Sequence, residues 1–250
     1  MLTTRHQKVV FVTGAGSGIG RAAAEAFMRR GYAVALADVD REAGVKVQTE
    51  LSAWGTCTFI PCDVTDDATV ADAVAQTLAI YGRLDAAFNS AGVDGEHGKL
   101  TAECTMENWN RVIAVDLTGI WSCMRYQIPA IIESGGGAIV NCASVAGLRA
   151  APTVPAYTAA KHGVVGLTRV AAREYANQGL RVNAICPGTV DTPMFRKSMS
   201  PEVIENLLAA APIGRLAEAS EIADVALWLC DDAPNFLTGQ AIAVDGGMGA

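Results

Sequence analysis

The sequence of 250 residues is short of charge, of histidine and of long apolar runs, and each shortage closes off a class of protein. Charged residues make up 18% of it, and 19 lysines and arginines face 26 acidic residues, for a net charge of −7. Without a basic stripe to neutralise phosphates, a nucleic-acid partner is disfavoured. No uncharged apolar stretch approaches the ~18–20 residues that span a bilayer, so no membrane partner is expected. The three histidines, His6, His97 and His162, are too scattered to pair as metal ligands. Seven cysteines are an odd number, widely spaced and without a Cys-x-x-Cys pair. A disulfide framework or a zinc site needs closer spacing, so the expectation is buried reduced thiols and no metal. The polar start, Met1 to Lys8, runs into only four apolar residues, Val9 to Val12, too few for an export signal. A cytoplasmic protein is expected.

What the chain has in quantity is apolar side chains, 51%, and 25 glycines. Disorder is excluded by that composition. A chain this long suits one large domain that buries roughly 70–75% of its unfolded surface. Short apolar runs at Lys8–Val12, Ala33–Ala37, Thr56–Ile60, Leu84–Phe88, Ala138–Asn141, Arg181–Ile185 and Ala241–Val244 read as strands. Helix-length segments at 19–30, 41–53, 67–80, 105–133, 156–178, 201–210 and 219–230 separate them. Parallel neighbours need a crossover, which a helix supplies, so the alternation predicts a doubly wound α/β fold. Ligands of such sheets bind beyond the carboxyl ends of the strands, which makes the residues after each strand the informative ones.

After the first strand comes Thr13-Gly14-Ala15-Gly16-Ser17-Gly18-Ile19-Gly20, then an alanine-rich helix. Glycines allow the tight turn and let backbone N–H groups approach a pyrophosphate at the helix N-terminus. The spacing is Gly14-x-x-x-Gly18-x-Gly20 rather than the commoner G-x-G-x-x-G. The second strand ends at Asp38, whose carboxylate can accept both adenosine ribose hydroxyls and would repel a 2′-phosphate. Neither Ser17 nor Val39 offers a cation to such a phosphate, so NAD is expected over NADP. Asp63-Val64 and Asn89-Ser90-Ala91-Gly92, after the third and fourth strands, can wall the adenosine site or serve as ordinary turns.

Tyr157 and Lys161 stand four apart on a predicted helix and so share a face. A phenol, with an ordinary pKa near ~10, is a poor base at neutral pH, and a neighbouring ammonium favours its phenolate. Tyr157 can then take the proton of an alcohol while hydride leaves its carbon. Ser144, after the fifth strand, can steady the charge developing on the same oxygen. Pro187-Gly188-Thr189-Val190-Asp191-Thr192, after the sixth, can turn the chain across the cofactor and offer groups to its carboxamide.

Together these motifs resemble the short-chain dehydrogenase/reductase family in its single-domain form, over essentially the whole chain. The resemblance implies a Rossmann fold whose seven-stranded parallel sheet carries helices on both faces. It implies one NAD-binding catalytic domain over 1–250 with a substrate loop at about 191–212. The implied catalytic set is Ser144, Tyr157, Lys161 and Asp116. The implied cofactor set is Gly14, Ser17, Gly18, Ile19, Gly20, Asp38, Asp63, Val64, Asn89, Ala91, Gly92, Tyr157, Lys161, Pro187, Gly188, Val190 and Thr192. Family members are commonly tetramers, so a homotetramer joined through helices 105–133 and 156–178 is expected. Two departures stand out: Asn89-Ser90 replaces a usual pair of asparagines, and Asp116 replaces a usual asparagine. There the family holds a water linking the lysine to solvent. An attraction between Asp116 and Lys161 would preserve that relay with an altered pH dependence.

Val93, Leu148, Val154, Met194, Phe195 and Met199 are expected to wall an apolar pocket for a cyclic or apolar substrate bearing one secondary alcohol or ketone. Arg149 reads as a surface residue or a partner for a substrate carboxylate, and His97, near the rim, is given no chemistry. The leading function is therefore an NAD-dependent dehydrogenase interconverting a small secondary alcohol and its ketone. An NADPH-dependent ketoreductase acting on an acyl thioester is the alternative, opposed by Asp38 and the acidic balance. A catalytically silent dinucleotide-binding sensor is the third, opposed by the intact Ser144, Tyr157 and Lys161.

Overall fold

Alternation along β1 (Val9–Thr13) shows how the layers are built. Val9 and Phe11 enter one core with Val70, Ile120 and Val164, while Val10 and Val12 enter a second with Ala23, Val47 and Ile222. A strand buried on both faces must be apolar throughout, which is why this run shows no polar alternation. The computed structural model describes residues 6–250, with backbone alone at 206 and 208–210. The expectation for Met1–Lys8 therefore falls largely outside the described residues.

The other strands are β2 (Ala33–Asp38), β3 (Cys57–Pro61), β4 (Ala86–Asn89), β5 (Gly137–Cys142), β6 (Leu180–Pro187), β7 (Val190–Asp191), β8 (Ala217–Glu218) and β9 (Ala241–Val244). Seven of them form one sheet in the order β3-β2-β1-β4-β5-β6-β9, every pairing parallel. This is the seven-stranded Rossmann sheet expected. Helices α1 (Gly18–Arg29), α2 (Arg41–Leu51) and α9 (Ala219–Asp231) cover one face. Helices α3 (Asp67–Tyr81), α5 (Gly119–Glu133) and α6 (Pro155–Tyr175) cover the other. The order reverses between β1 and β4, so their carboxyl ends open a crevice at that switch point.

The long segment expected at 105–133 is helical but not uniform. It comprises α4 (Met106–Ile113), a π-helical turn at Ala114–Thr118 and α5. A π turn inserts a residue into the helix and re-aims what it carries, here Asp116. The stretch after Asp191 carries more structure than the helix expected at 201–210, which is present. Asp191 belongs to β7, which pairs with β8, and two helices follow, α7 (Pro193–Ser198) and α8 (Pro201–Ala210). Pro193 and Pro201 each occupy a first helical position, where the missing N–H costs nothing.

Between the sheet and the second helical layer lies a polar chain. Asn89 donates to Gln127 Oε1 at 3.0 Å and to Asn141 Oδ1 at 2.9 Å, and Gln127 donates back at 2.8 Å. Asn141 in turn donates to Thr168 Oγ1 at 3.0 Å. All four side chains are sealed from solvent, so their mutual bonds remove a desolvation cost of about 1–3 kcal/mol per group.

Candidate active site

The crevice is a cavity of about 600 Å³, lined from the carboxyl ends of the sheet. On its first side the chain leaves β1 and turns into α1 through Gly14 and Gly18, which adopt φ of +66° and +51°. A Cβ on Gly14 would lie 3.0 Å from the Ala91 backbone, and one on Gly20 would collide with the Gly14 carbonyl oxygen. The backbone is thus drawn in until only glycine fits, leaving the N-terminal amides of α1 free to face an anion. Ser17 and Ile19 line the same wall.

Asp38 ends β2 beside this turn. Its Oδ2 accepts from the Gly16 N–H at 2.8 Å and its Oδ1 from the Asp40 N–H at 2.9 Å, which fixes the carboxylate in the cavity wall. Asp63 also lines the cavity, with Oδ1 accepting from the Thr65 N–H at 2.9 Å and its hydroxyl at 2.7 Å. Val64, Ala91, Gly92, Pro187, Gly188, Val190 and Thr192 are brought to the cavity as expected. Thr192 Oγ1 accepts from the Phe195 N–H at 3.2 Å and so caps α7 at the cavity edge. Asn89 is the exception. Its side chain is wholly buried in the polar chain with Gln127 and Asn141, and Ser90 takes its place in the wall.

Ser144, Tyr157, Lys161 and Asp116 converge on the other side. Tyr157 opens α6 and Lys161 follows one turn later, with Nζ 5.3 Å from the phenol ring centroid. Lys161 Nζ donates to the Cys142 carbonyl at 3.1 Å and lies 3.3 Å from Asp116 Oδ2. Asp116 Oδ1 accepts from the Val93 N–H at 2.8 Å. The attraction anticipated between Asp116 and Lys161 is therefore present, as a buried ion pair.

Electrostatics modify the expected role of the lysine. Burial works to lower the Lys161 ammonium, but the Asp116 carboxylate facing it wins and holds it above the ordinary lysine range. Burial raises Asp116 against the opposing pull of Lys161 and the Val93 N–H. Tyr157 is pushed up to about 12, because burial and the charge of Asp116 outweigh Lys161 and the Ser144 hydroxyl. Lys161 does pull the phenol down, as the sequence suggests, yet its own counter-ion takes back part of the effect.

The remaining wall is mostly apolar. Val93, Val154, Met194, Phe195 and Met199 line it as expected, joined by Leu207, which the sequence reading did not single out. Leu148 does not line it and is largely exposed. Arg149 is turned away as well. It donates to the Met248 carbonyl and stands 3.9 Å from Asp245 Oδ2, so it holds the chain's C-terminal segment rather than a substrate. Among the described residues no group of three metal-ligating side chains comes together. No helix there is long and apolar enough to cross a membrane.

A family model described as enoyl-(acyl carrier protein) reductase matches residues 14–249. The 2,5-dichloro-2,5-cyclohexadiene-1,4-diol dehydrogenase of Sphingobium indicum is 45% identical, over 97% of each chain. The chain belongs to the short-chain dehydrogenase/reductase family. The cyclohexanol dehydrogenase of an Acinetobacter species is another such relative, 40% identical over 96% of this chain and 94% of its own. The crystal structure of levodione reductase superposes with a TM-score of 0.93 at 35% identity, covering 97% of this chain and 98% of that one. Membership makes the chain an oxidoreductase acting on the CH–OH group. It also implies a nicotinamide dinucleotide cofactor, and the glycine turn at the start of α1 is a cradle that a Cβ would fill.

Proposed function

We propose that this short-chain dehydrogenase/reductase interconverts a cyclic secondary alcohol and its ketone, with NAD as cofactor and Tyr157 as the acid/base. The observation carrying the reading is the convergence of Ser144, Tyr157 and Lys161 on an otherwise largely apolar cavity that also holds the dinucleotide turn. The printed activities of the two relatives, on a cyclohexadienediol and on cyclohexanol, support a ring substrate.

The bound nicotinamide would supply the hydride acceptor, and its positive charge would add to the pull on the phenol. Gly14, Ser17, Gly18, Ile19 and Gly20 would take the pyrophosphate, and Asp38 the adenosine ribose. Asp63 and Val64 would flank the adenine, with Ala91 and Gly92 against the ribose. Pro187, Gly188, Val190 and Thr192 would meet the carboxamide. Ser144 donates to the substrate oxygen, Tyr157 accepts the hydroxyl proton, and Lys161 steadies the phenolate and would hold the nicotinamide ribose. Asp116 fixes Lys161 and sets its charge.

Two features support NAD over NADP. Asp38 is held in place by two backbone N–H groups, so it cannot swing away from a 2′-phosphate. Neither Ser17 nor Val39 supplies a cation there. The whole chain, 1–250, would work as one catalytic unit with 191–212 as its substrate segment. The free cysteines support a reducing, cytoplasmic setting. Exposed Trp109, Trp121 and Val170 on α4, α5 and α6 support a homotetramer joined through those helices.

The test is NADH formation across a panel of cyclic and open-chain secondary alcohols. Turnover is expected with the cyclic alcohols and NAD. Dinucleotide binding without turnover on any of them would overturn the reading.

A further inference from the structure

Thr189 and Leu207 each line two cavities. On one side lies the cavity of the reacting centre. On the other is a compartment of about 160 Å³, bounded by β8, α8 and the segment that follows β9. Its apolar lining comes from Ala211, Ile213, Leu216, Ala217, Val244 and Met248. Aliphatic walls around a space of this size take a group about as large as benzene.

The charged groups in its wall are already engaged. Arg215 donates to the two oxygens of Glu221 at 2.6 and 2.8 Å, and to the Leu216 carbonyl at 3.1 Å. Asp245 Oδ1 accepts from the Gly247 N–H at 3.1 Å, and its Oδ2 is closed to solvent, 3.9 Å from Arg149. With these ions answering one another, the compartment rewards apolar contact. A charged group entering it would lose water and gain no partner.

The two residues of the partition differ in how firmly they are held. The Thr189 carbonyl accepts from the Ala217 N–H at 3.0 Å, and its hydroxyl stands 3.9 Å from Met248 Sδ. Leu207 meets both cavities through an aliphatic side chain alone, which can change rotamer without breaking a hydrogen bond. On the reacting side Leu207 shares the apolar wall with Phe195 and Met199, where the substrate ring would lie beside the cofactor.

We propose that the compartment is a subsite for an apolar substituent on the substrate ring, reached past Leu207, so that the preferred substrates are alkyl-substituted cyclic alcohols. Each methylene buried there leaves water for an apolar surround, which is worth about three- to fourfold in kcat/KM. Leu207 is then a specificity-determining residue, set between the space for the ring and the space for its side chain.

This inference rests on the reading that the larger cavity oxidises a cyclic alcohol at Tyr157, and the experiment separates the two. The probes are cyclohexanol and its 3- and 4-alkyl derivatives from methyl to butyl, with NAD and the full-length protein. At one ring position the wild-type kcat/KM is expected to rise at least about tenfold from methyl to butyl. Ala217→Leu and Ala211→Leu fill the compartment from two different segments without touching the larger cavity. In each, the butyl-to-methyl ratio is expected to fall towards one. Because the ratio is taken within one protein, a general loss of folding or activity cancels from it. A flat series in the wild type overturns the subsite while leaving the dehydrogenase reading intact. So does a ratio that both filled variants keep. No turnover on any alcohol would instead overturn the reading on which the subsite stands.

Discussion

The Lys161 ammonium stands 3.3 Å from Asp116 Oδ2, and neither side chain is open to water. Such a pair is costly to assemble and costlier to break, because one partner alone is a buried charge. Its position makes it an electrostatic control on Tyr157 as well as a fixture for the lysine.

Replacing Asp116 by asparagine removes a negative charge that raises both Lys161 and Tyr157. In alcohol oxidation the phenol must give up its proton, so activity climbs as pH rises through the phenol's range. Lowering that range moves the climb to lower pH. The pH profile of kcat for Asp116→Asn is therefore expected to shift in the acid direction. A profile that stays in place would show that Asp116 has no tuning role, and one that moves to higher pH would show that its charge does not act on the phenol in this direction.

Tyr157→Phe removes the proton acceptor and keeps the ring. The expected loss in kcat is about a hundredfold to ten-thousandfold. Dinucleotide affinity, followed by fluorescence titration with NADH, should stay within a few fold. Near-normal turnover would mean that another group takes the proton.

Asp38→Ala removes the carboxylate that a 2′-phosphate would meet. The ratio of kcat/KM with NADP to that with NAD is expected to rise by at least roughly tenfold, since like-charge opposition is worth several kcal/mol. An unchanged ratio would place cofactor choice elsewhere in the wall.

Thr153 lies in the cavity wall with a φ of +67°, a conformation unfavourable to a β-branched residue. Thr153→Gly relieves about 1–2 kcal/mol of backbone strain and returns part of it as unfolded-state entropy. A net rise in Tm of about 1–3 °C is expected in a thermal melt. A fall would show that contacts of the threonine side chain outweigh the strain.

Asn141→Ala would leave Asn89 short of an acceptor and Thr168 short of a donor inside the core. Destabilisation of about 1–3 kcal/mol is expected, beyond the lost packing, as a lower urea midpoint. An unmoved midpoint would mean that the polar chain makes no net contribution.

Most of the fold could be read from sequence because its signals are local. Val9 to Val12 declares a strand covered on both faces, and the glycine turn before α1 declares where a phosphate lies. The strand boundary differs where a polar residue continues the ladder, as at Asn89, which ends β4 rather than following it. The π turn at Asp116 left no signal, because one inserted residue barely disturbs helical periodicity. From sequence alone Asn89 reads as a cofactor residue, because it sits after a strand-forming run. Only tertiary packing reveals that its side chain turns towards Gln127 and Asn141. Arg149 posed the same difficulty: no local pattern announces that its partners, Asp245 and Met248, lie almost a hundred residues away. His97, near the rim, faces Asp94 at 3.7 Å, a spacing that sequence does not encode directly.

In the ladder between β4 and β5, Asn89 stands directly opposite Asn141. Sliding either strand by two residues would set an amide against an aliphatic side chain and leave its dry hydrogen bonds unmade. The ladder thus has a single alignment in which the core is satisfied, whereas apolar pairs would tolerate several. Thr168 carries that alignment into α6, about three helical turns from Tyr157. The four buried polar groups act as a datum mark: they gauge where the reactive phenol comes to rest relative to a dinucleotide cradle built from a different part of the chain.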